Sequence, residues 1–429
     1  MDARTFAADL LRFRSTDGAE AAAAEWFESR LADLGFETYR WTADAETLVG
    51  HDSFPDDPDA IETADRPSVA GVVEFGDPDA GPTLVLNGHL DVVPADEALW
   101  DTDPFEPAWN AVDAAELPVA VDADGATDTL TARGAVDMKA ALTACVFAAV
   151  DARSAADADS TLDGRLVVEA VAGEEIGGIG AAAAAAANPY PFERDAAVVT
   201  EPTGLTPVTA TEGTVMKRLR IEGRSAHAAT RWVGEDVLPH FEVVRRRLRE
   251  LEAERCRRVT HPLYEEHEVP WPVVAGRVEA GSWASTVPGE LTAEFRIGVA
   301  PGETVTEVEA EFEAAVAAVV ADRPWLAEHP PAFERFAVQF EPAETDPDAA
   351  VVRALQASMA DTGLDDTAPR GATYGADNRH YVAAGIPTVL FGPGHIEQAH
   401  FPNETVPWAE VEQARETLAA TVRRFLGDA

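Results

Sequence analysis

The stretch RLVVEAVAGEEIGG, Arg165 to Gly178, passes from aliphatic residues directly into two adjacent glutamates and a pair of glycines. A short apolar run bounded by glycine reads as a strand buried on both faces. The polar residues at its carboxyl end then stand where open α/β sheets place their ligand crevices. The arrangement recurs along the chain. TLVLNGHLDVVPAD (83–96) ends a strand at Asn87 and Gly88 and presents His89 and Asp91; AAVVTEPTG (196–204) leads into Glu201. PTVLFGPGHIEQAHFPNETV (387–406) carries His400 in a Gly/Pro-rich loop, and LTARGAVDMKAAL (130–142) sets Asp137 at a loop-to-helix junction.

SVAGVVEFG (68–76) adds a strand, helical segments are expected over 138–150 and 179–187, and two more helices precede Gly35. Strands alternating with helices predict a doubly wound α/β layer. From 208 to 341 the texture changes to strand 214–223, helix 237–255, strands 273–281 and 291–299, helix 304–322 and strand 334–342. This β-α-β-β-α-β order is that of a ferredoxin-like α+β sandwich. Because the earlier strand style resumes at PTVLFGPG, the expected organisation is a discontinuous catalytic domain, 1–207 and 342–429, around an inserted domain, 208–341. The stretches 43–66 and 107–128 read as surface excursions.

The chain has 429 residues and, with 77 acidic against 33 basic side chains, a formal net charge of −44; Lys139 and Lys217 are its only lysines. Acid spread over the whole surface repels nucleic acid and anionic lipid, and it stays soluble where salt screens self-repulsion. The expectation is a protein adapted to a salty cytoplasm. Cys145 and Cys256 stand in unrelated contexts, which argues against a disulfide framework. The sequence shows neither a membrane-spanning apolar run nor the basic start and apolar core of a signal peptide, so a cytoplasmic location is expected.

Counting acids cannot select a site from 77 candidates, but position can. Two histidines, His89 and His400, and the carboxylates Asp137, Glu201 and one glutamate of the 174–175 pair form a donor set suited to Zn²⁺, or to Co²⁺ or Mn²⁺. The second glutamate is left over for proton transfer. Asp91, two residues beyond His89 on an extended segment, can hold that imidazole in one tautomer. Read alone, each element has a plain alternative: a polar strand end for His89, a helix cap for Asp137, a loop histidine for His227 and a strand ion pair for Arg296.

The motifs GHLDVVP, RGAVDMKAAL, AGEEIGG, VVTEPTG, GRSAHAA and GPGHIEQAHFPNE resemble, in that order, the dinuclear zinc amidohydrolases and exopeptidases. That family includes acetylornithine deacetylase, succinyl-diaminopimelate desuccinylase, aminoacylase and glutamate carboxypeptidase. The resemblance covers about residues 10 to 425. It implies a lid that serves as the dimerisation domain, and two metal ions bridged by Asp137. His89 and Glu201 would complete one metal site, and Glu175 and His400 the other. It also implies that Glu174 is the general base and acid toward the bridging water, that Asp91 orients His89, and that His227 reaches across a dimer to the scissile carbonyl. Arg296 in EFRIG resembles the arginine that holds a substrate carboxylate.

Two positions depart from the family pattern: Ser285 stands about where many members have a substrate-binding Asn, and Ala140 replaces a Gly. The other seven of the ten histidines are read as structural. The implied activity is hydrolysis of an N-acyl amino acid, with GPGHIEQAH leaning toward acetylornithine deacetylase-like members. A dipeptidase or carboxypeptidase with the same centre is the alternative, and a non-catalytic binding protein on this scaffold is a remote one.

Overall fold

The structure is a computed structural model that describes all residues except 52, 56, 114–125, 157–161 and 428–429. Its large sheet runs in the order Glu37–Thr42, Pro67–Phe75, Gly164–Val171, Thr83–His89, Ala196–Val199, Thr388–Leu390, Val208–Thr211 and Ala343–Glu344. Arg370–Ala372 also pairs with Val208–Thr211. The four central strands, Gly164–Val171 through Thr388–Leu390, are mutually parallel, and the strands next to them, Pro67–Phe75 and Val208–Thr211, pair with them antiparallel. The carboxyl ends of the strands that precede Glu174, His89, Glu201 and His400 therefore open on one edge.

Both sheet faces are buried, which is why the central strands are largely apolar. Alternate residues feed two cores. Leu84, Leu86, Leu166, Val168 and Val198 pack against helices Ala3–Leu11, Ala21–Asp33, Lys139–Ala156, Ala350–Asp361 and Trp408–Gly427. Val85, Val167, Val171 and Val199 face the other way, toward Ile179–Ala186 and Asn378–Ala383. Helix Lys139–Ala156 lies in the middle of the first layer, and its alanines let it approach both the sheet and helix Trp408–Gly427 closely.

A second sheet, wholly antiparallel, has the order Val273–Ala280, Glu290–Val299, Gly213–Glu222, Ala332–Arg335. Helices Leu238–Arg258 and Val305–Ala321 cover one face with their own core, including Phe241, Leu248 and Phe312. A capping box at Thr304 and Glu307 starts the second helix. This is the ferredoxin-like lid inserted in the α/β layer.

Three expectations change. The segment 334–342 is not one strand. Pairing in the lid ends at Arg335, Ala337 adopts φ +52°, and the Gln339 side chain takes the Met216 amide at 2.7 Å in place of a ladder carbonyl. The stretch 43–66 is only partly a surface excursion, because Leu48, Phe54 and Ile61 are buried against Ile179 and Ala182. In 107–128, the strand Ala108–Asp113 pairs with Ala126–Thr131, which pairs with Thr405–Pro407; 114–125 lies outside the described residues. Among the described residues, no helix is long and apolar enough to cross a membrane.

Candidate metal centre

The end of the His89 strand and the start of helix Lys139–Ala156 meet at a hydrogen-bond distance. His89 Nε2 lies 2.9 Å from Asp137 Oδ1, and His400 Nε2 lies 3.3 Å from Asp137 Oδ2. His400 Nε2 is also 3.1 Å from the Glu175 carboxylate. The two oxygens of Asp137 are thus divided between two histidines far apart in sequence, one ending a strand and the other in a loop. One donor atom each from His89, Asp137 and Glu175 falls within a 4.8 Å span. Two ligands of one tetrahedral zinc stand about 3.3 Å apart, given metal–ligand bonds of about 2.0–2.2 Å. The measured separations therefore fit shared divalent ions.

The electrostatics point the same way. Burial, then the Glu201 charge, holds the Glu174 carboxyl well above its usual range, and burial, then Asp137, does the same to Glu201. Glu175 is raised by burial and then by Asp137. Asp137 is lowered because its bonds to His400 and His89 outweigh its burial, and the bonds to Asp137 and Glu175 lift His400 to about 10. The cluster lacks positive charge for the carboxylates it holds, and divalent ions would supply it. Glu174 and Glu201 are buried beside the trio rather than within it.

The AGEEIGG turn takes its shape from its glycines. Gly173, Gly177 and Gly178 have φ of +75°, +108° and +73°, a region open to glycine at little cost. A Cβ on Gly178 would stand 2.1 Å from Asp377 Oδ1. Asp91 anchors the turn: its carboxylate accepts the amides of Gly173 at 2.8 Å, Glu174 at 3.2 Å and Glu175 at 3.0 Å. A hydrogen bond to a charged acceptor contributes roughly 1.5–3 kcal/mol, so this one side chain fixes both glutamates. The sequence reading gave Asp91 a different contact. The strand ends at His89, so the imidazole Nδ1 meets the Asp91 main-chain carbonyl at 2.8 Å, with the carboxylate at 3.7 Å.

Several supporting residues escaped the sequence reading although they lie in or beside the quoted motifs. Lys139, fully buried, donates to Phe13 O and Ser15 Oγ at 2.8 Å, and Ser15 Oγ donates to Leu90 O at 2.6 Å, which braces the loop around Asp91. Burial pushes the Lys139 amine down to about 7. Arg133 and Glu404 form a buried ion pair of 2.6 Å beneath Asp137. Asp377 is buried behind the turn with both oxygens lacking a hydrogen-bond partner among the described residues, and burial pushes its carboxyl up to about 6.

A cavity of about 780 Å³ adjoins the centre, lined by Thr203, His267, Arg370, Tyr374, His395 and Glu397 among others. Tyr374 stands beside Glu201, whose charge adds to burial in raising the phenol. The lid residues lie elsewhere. His227 is exposed, with its Nδ1 accepting the Ala229 amide at 3.1 Å, and its loop pairs with the Ser285–Thr286 segment through Ala228 N to Ser285 O at 2.8 Å. Arg296 donates to the buried Glu212 at 2.9 Å and to Thr373 O at 2.9 Å, so its guanidinium already has partners.

Comparison with known proteins accords with this geometry. The N-formyl-4-amino-5-aminomethyl-2-methylpyrimidine deformylase of Halalkalibacterium halodurans is 26% identical over 377 residues, 82% of this chain and 81% of the relative. The acetylornithine deacetylase of Pectobacterium atrosepticum is 27% identical over 355 residues, 80% of each chain. Among solved structures, the di-peptidase Dug1p of Saccharomyces cerevisiae superposes with a TM-score of 0.72 at 15% identity, over 100% of this chain and 96% of that one. The signature of Peptidase family M20/M25/M40 matches residues 85–424. The chain belongs to that family and is a metal-dependent hydrolase of amide bonds.

Proposed function

We propose that the protein removes the acyl group from an N-acyl amino acid. The observation that carries this reading is the division of labour in AGEEIGG: Glu175 joins His89 and Asp137 as a donor, whereas the adjacent Glu174 is buried beside them and free to move a proton. The two curated relatives described above are named for removing formyl and acetyl groups, which supports a deacylase over a dipeptidase or carboxypeptidase. A non-catalytic binding role finds no support in a centre that retains all five donor positions and Glu174.

In this reading two divalent ions would be held by Asp137 in common, with His89 and Glu201 as further ligands for one and Glu175 and His400 for the other. Zinc suits the two imidazoles and the carboxylates best, with cobalt or manganese as substitutes. When bound, the ions would polarise the substrate carbonyl and make water more acidic. Glu174 takes a proton from the attacking water and passes it to the departing amine, so the amine leaves neutral. Asp91 holds Glu174 and Glu175 in register through their amides. The cavity beside Tyr374 receives the variable part of the substrate.

The lid serves as the dimerisation domain, and the division 1–207 with 342–429 around 208–341 belongs to this reading, with its first boundary moved past Val208–Thr211, which pairs in the large sheet. Support for a homodimer lies in the lid's edge strand Val273–Ala280, where Val274 and Val278 are exposed, and in Trp232 and Trp283, exposed at 76% and 73%. Such an edge invites pairing with another copy. His227 bridges to Thr286 in the loops that carry these tryptophans and makes no hydrogen bond to its own chain's centre among the described residues. It acts in the partner's site, donating to the developing oxyanion, with Ser285 beside it; Arg296 binds the substrate carboxylate only by loosening its hold on Glu212.

The acidic surface and the burial of both lysines, at 0% and 1% exposure, support a salt-adapted cytoplasmic protein.

A panel of N-acetyl, N-succinyl and N-formyl amino acids and dipeptides, assayed in high salt with added Zn²⁺ or Co²⁺, tests the activity. Acyl amino acids should be hydrolysed fastest, and preference for dipeptides would overturn the deacylase reading. Glu174→Gln should retain its metal and lose about 10²–10⁴-fold in kcat; near-normal turnover would remove Glu174 from the mechanism. His227→Ala should lower kcat by about 10²–10³-fold while the dimer, measured by light scattering, persists. An unchanged kcat would make His227 structural. Withdrawing salt should lower the melting temperature steeply, because 77 acidic groups then repel unscreened. A melt indifferent to salt contradicts the salt-adapted reading.

A further inference from the structure

The Arg133–Glu404 pair touches the metal centre without offering it a donor. Glu404 is 1% exposed and Arg133 3%. Glu404 Oε1 accepts the main-chain amides of Val136 at 2.7 Å and Asp137 at 3.0 Å. Its Oε2 accepts Arg133 Nη1 at 2.6 Å. Arg133 Nη2 donates to the main-chain carbonyl of His400 at 3.3 Å, and Nη1 reaches that of Phe401 at 3.4 Å. The Trp100 ring lies 5.3 Å below the guanidinium.

The two ends of this chain of bonds are the backbones of the two ligands that face each other, Asp137 and His400, whose side chains meet at 3.3 Å. His400 needs such a hold, because it adopts φ +65°, a left-handed conformation that a residue with a Cβ rarely keeps without surrounding bonds. Burying an ion pair seldom adds stability over packed apolar side chains, so its presence here suits a geometric role better than a stabilising one.

We propose that Arg133 and Glu404 are positioning residues: a buried strap that fixes the Asp137 carboxylate against the His400 imidazole and thereby sets the affinity for the ion that those two side chains would share. The inference rests on the dimetal reading above. Neither residue is a ligand, since both Glu404 oxygens are occupied by N–H groups and Arg133 has no acceptor atom. The strap also explains why RGAVDM and HFPNE matter jointly: one supplies Arg133 and Asp137, the other His400 and Glu404.

The test is a titration of the metal-free, full-length protein with Co²⁺ in high salt, followed by visible absorption and equilibrium dialysis, for Glu404→Gln, Arg133→Met and the double variant. The unsubstituted protein should bind two Co²⁺. Each single variant should weaken at least one of them by about 10- to 100-fold and alter the cobalt band shape, and the double variant should lose no more than the worse single. Arg415→Met, which breaks the Arg415–Asp151 pair between two helices away from the strap, should lower the melting temperature and leave both Co²⁺ affinities unchanged. Should Glu404→Gln fail to fold, Glu404→Asp, which withdraws the carboxylate by one methylene, carries the same expectation. Unchanged Co²⁺ affinity and spectrum in the strap variants would overturn the inference while leaving the dimetal reading intact. Fewer than two Co²⁺ on the unsubstituted protein would overturn that reading and the inference together.

Discussion

Asp137, Glu174 and Glu201 are buried side by side, with Glu175 half-buried next to them, and like charges in such a place resist one another. Two unit charges about 4 Å apart interact by about 4 kcal/mol at the effective dielectric typical of protein sites. Two histidines face these carboxyls, and the local charge still falls short, which is the condition a pair of divalent ions would meet. The arrangement needs a frame that brings the groups together and keeps them there. Four parallel strands do the first part, because parallel neighbours deliver every carboxyl-terminal loop to the same sheet edge.

The second part falls to backbone contacts made by charged side chains that are not themselves donors. Asp91 gathers three consecutive amides of the AGEEIGG turn. Lys139 and Ser15 clamp the segment that carries Asp91, and Glu404 with Arg133 joins the backbones of Asp137 and His400. Each of these groups is buried and hydrogen-bonded, as a costly buried charge must be. The donors are thus held by polar bonds from beneath, while the two apolar cores hold the strands that carry them.

The strands and the doubly wound layer were legible in the sequence because both-face burial makes the central strands largely apolar, and each such run ends in a chemically distinctive residue. The lid was legible through its alternation of strands and long periodic helices. Less was readable where a side chain acts through backbone. Asp91 two residues after His89 suggests a ring contact, yet its carboxylate serves a turn 82 positions away. Glu404 looks like one more acid among 77, and only the folded chain brings it under Asp137. The end of the lid's last strand was misjudged because the Gln339 side chain replaces a ladder bond, which no hydrophobic pattern records.

The surface obeys a different constraint from the interior. Both lysines are buried in fixed ion or hydrogen-bond networks, Lys217 between Glu309 and Glu313 at 2.6 Å each, and arginine is the basic residue at the described surface. The chain's acidity therefore has two parts, a dispersed excess in contact with solvent and a concentrated group at the sheet edge that gives the protein its chemistry. The most direct test of that concentrated group is anomalous X-ray scattering at the zinc edge from crystals grown in high salt with Zn²⁺. Two peaks flanking the Asp137 carboxylate, one beside His89 and Glu201 and the other beside Glu175 and His400, are the result this account predicts. A single peak, or zinc bound away from Asp137, would contradict it.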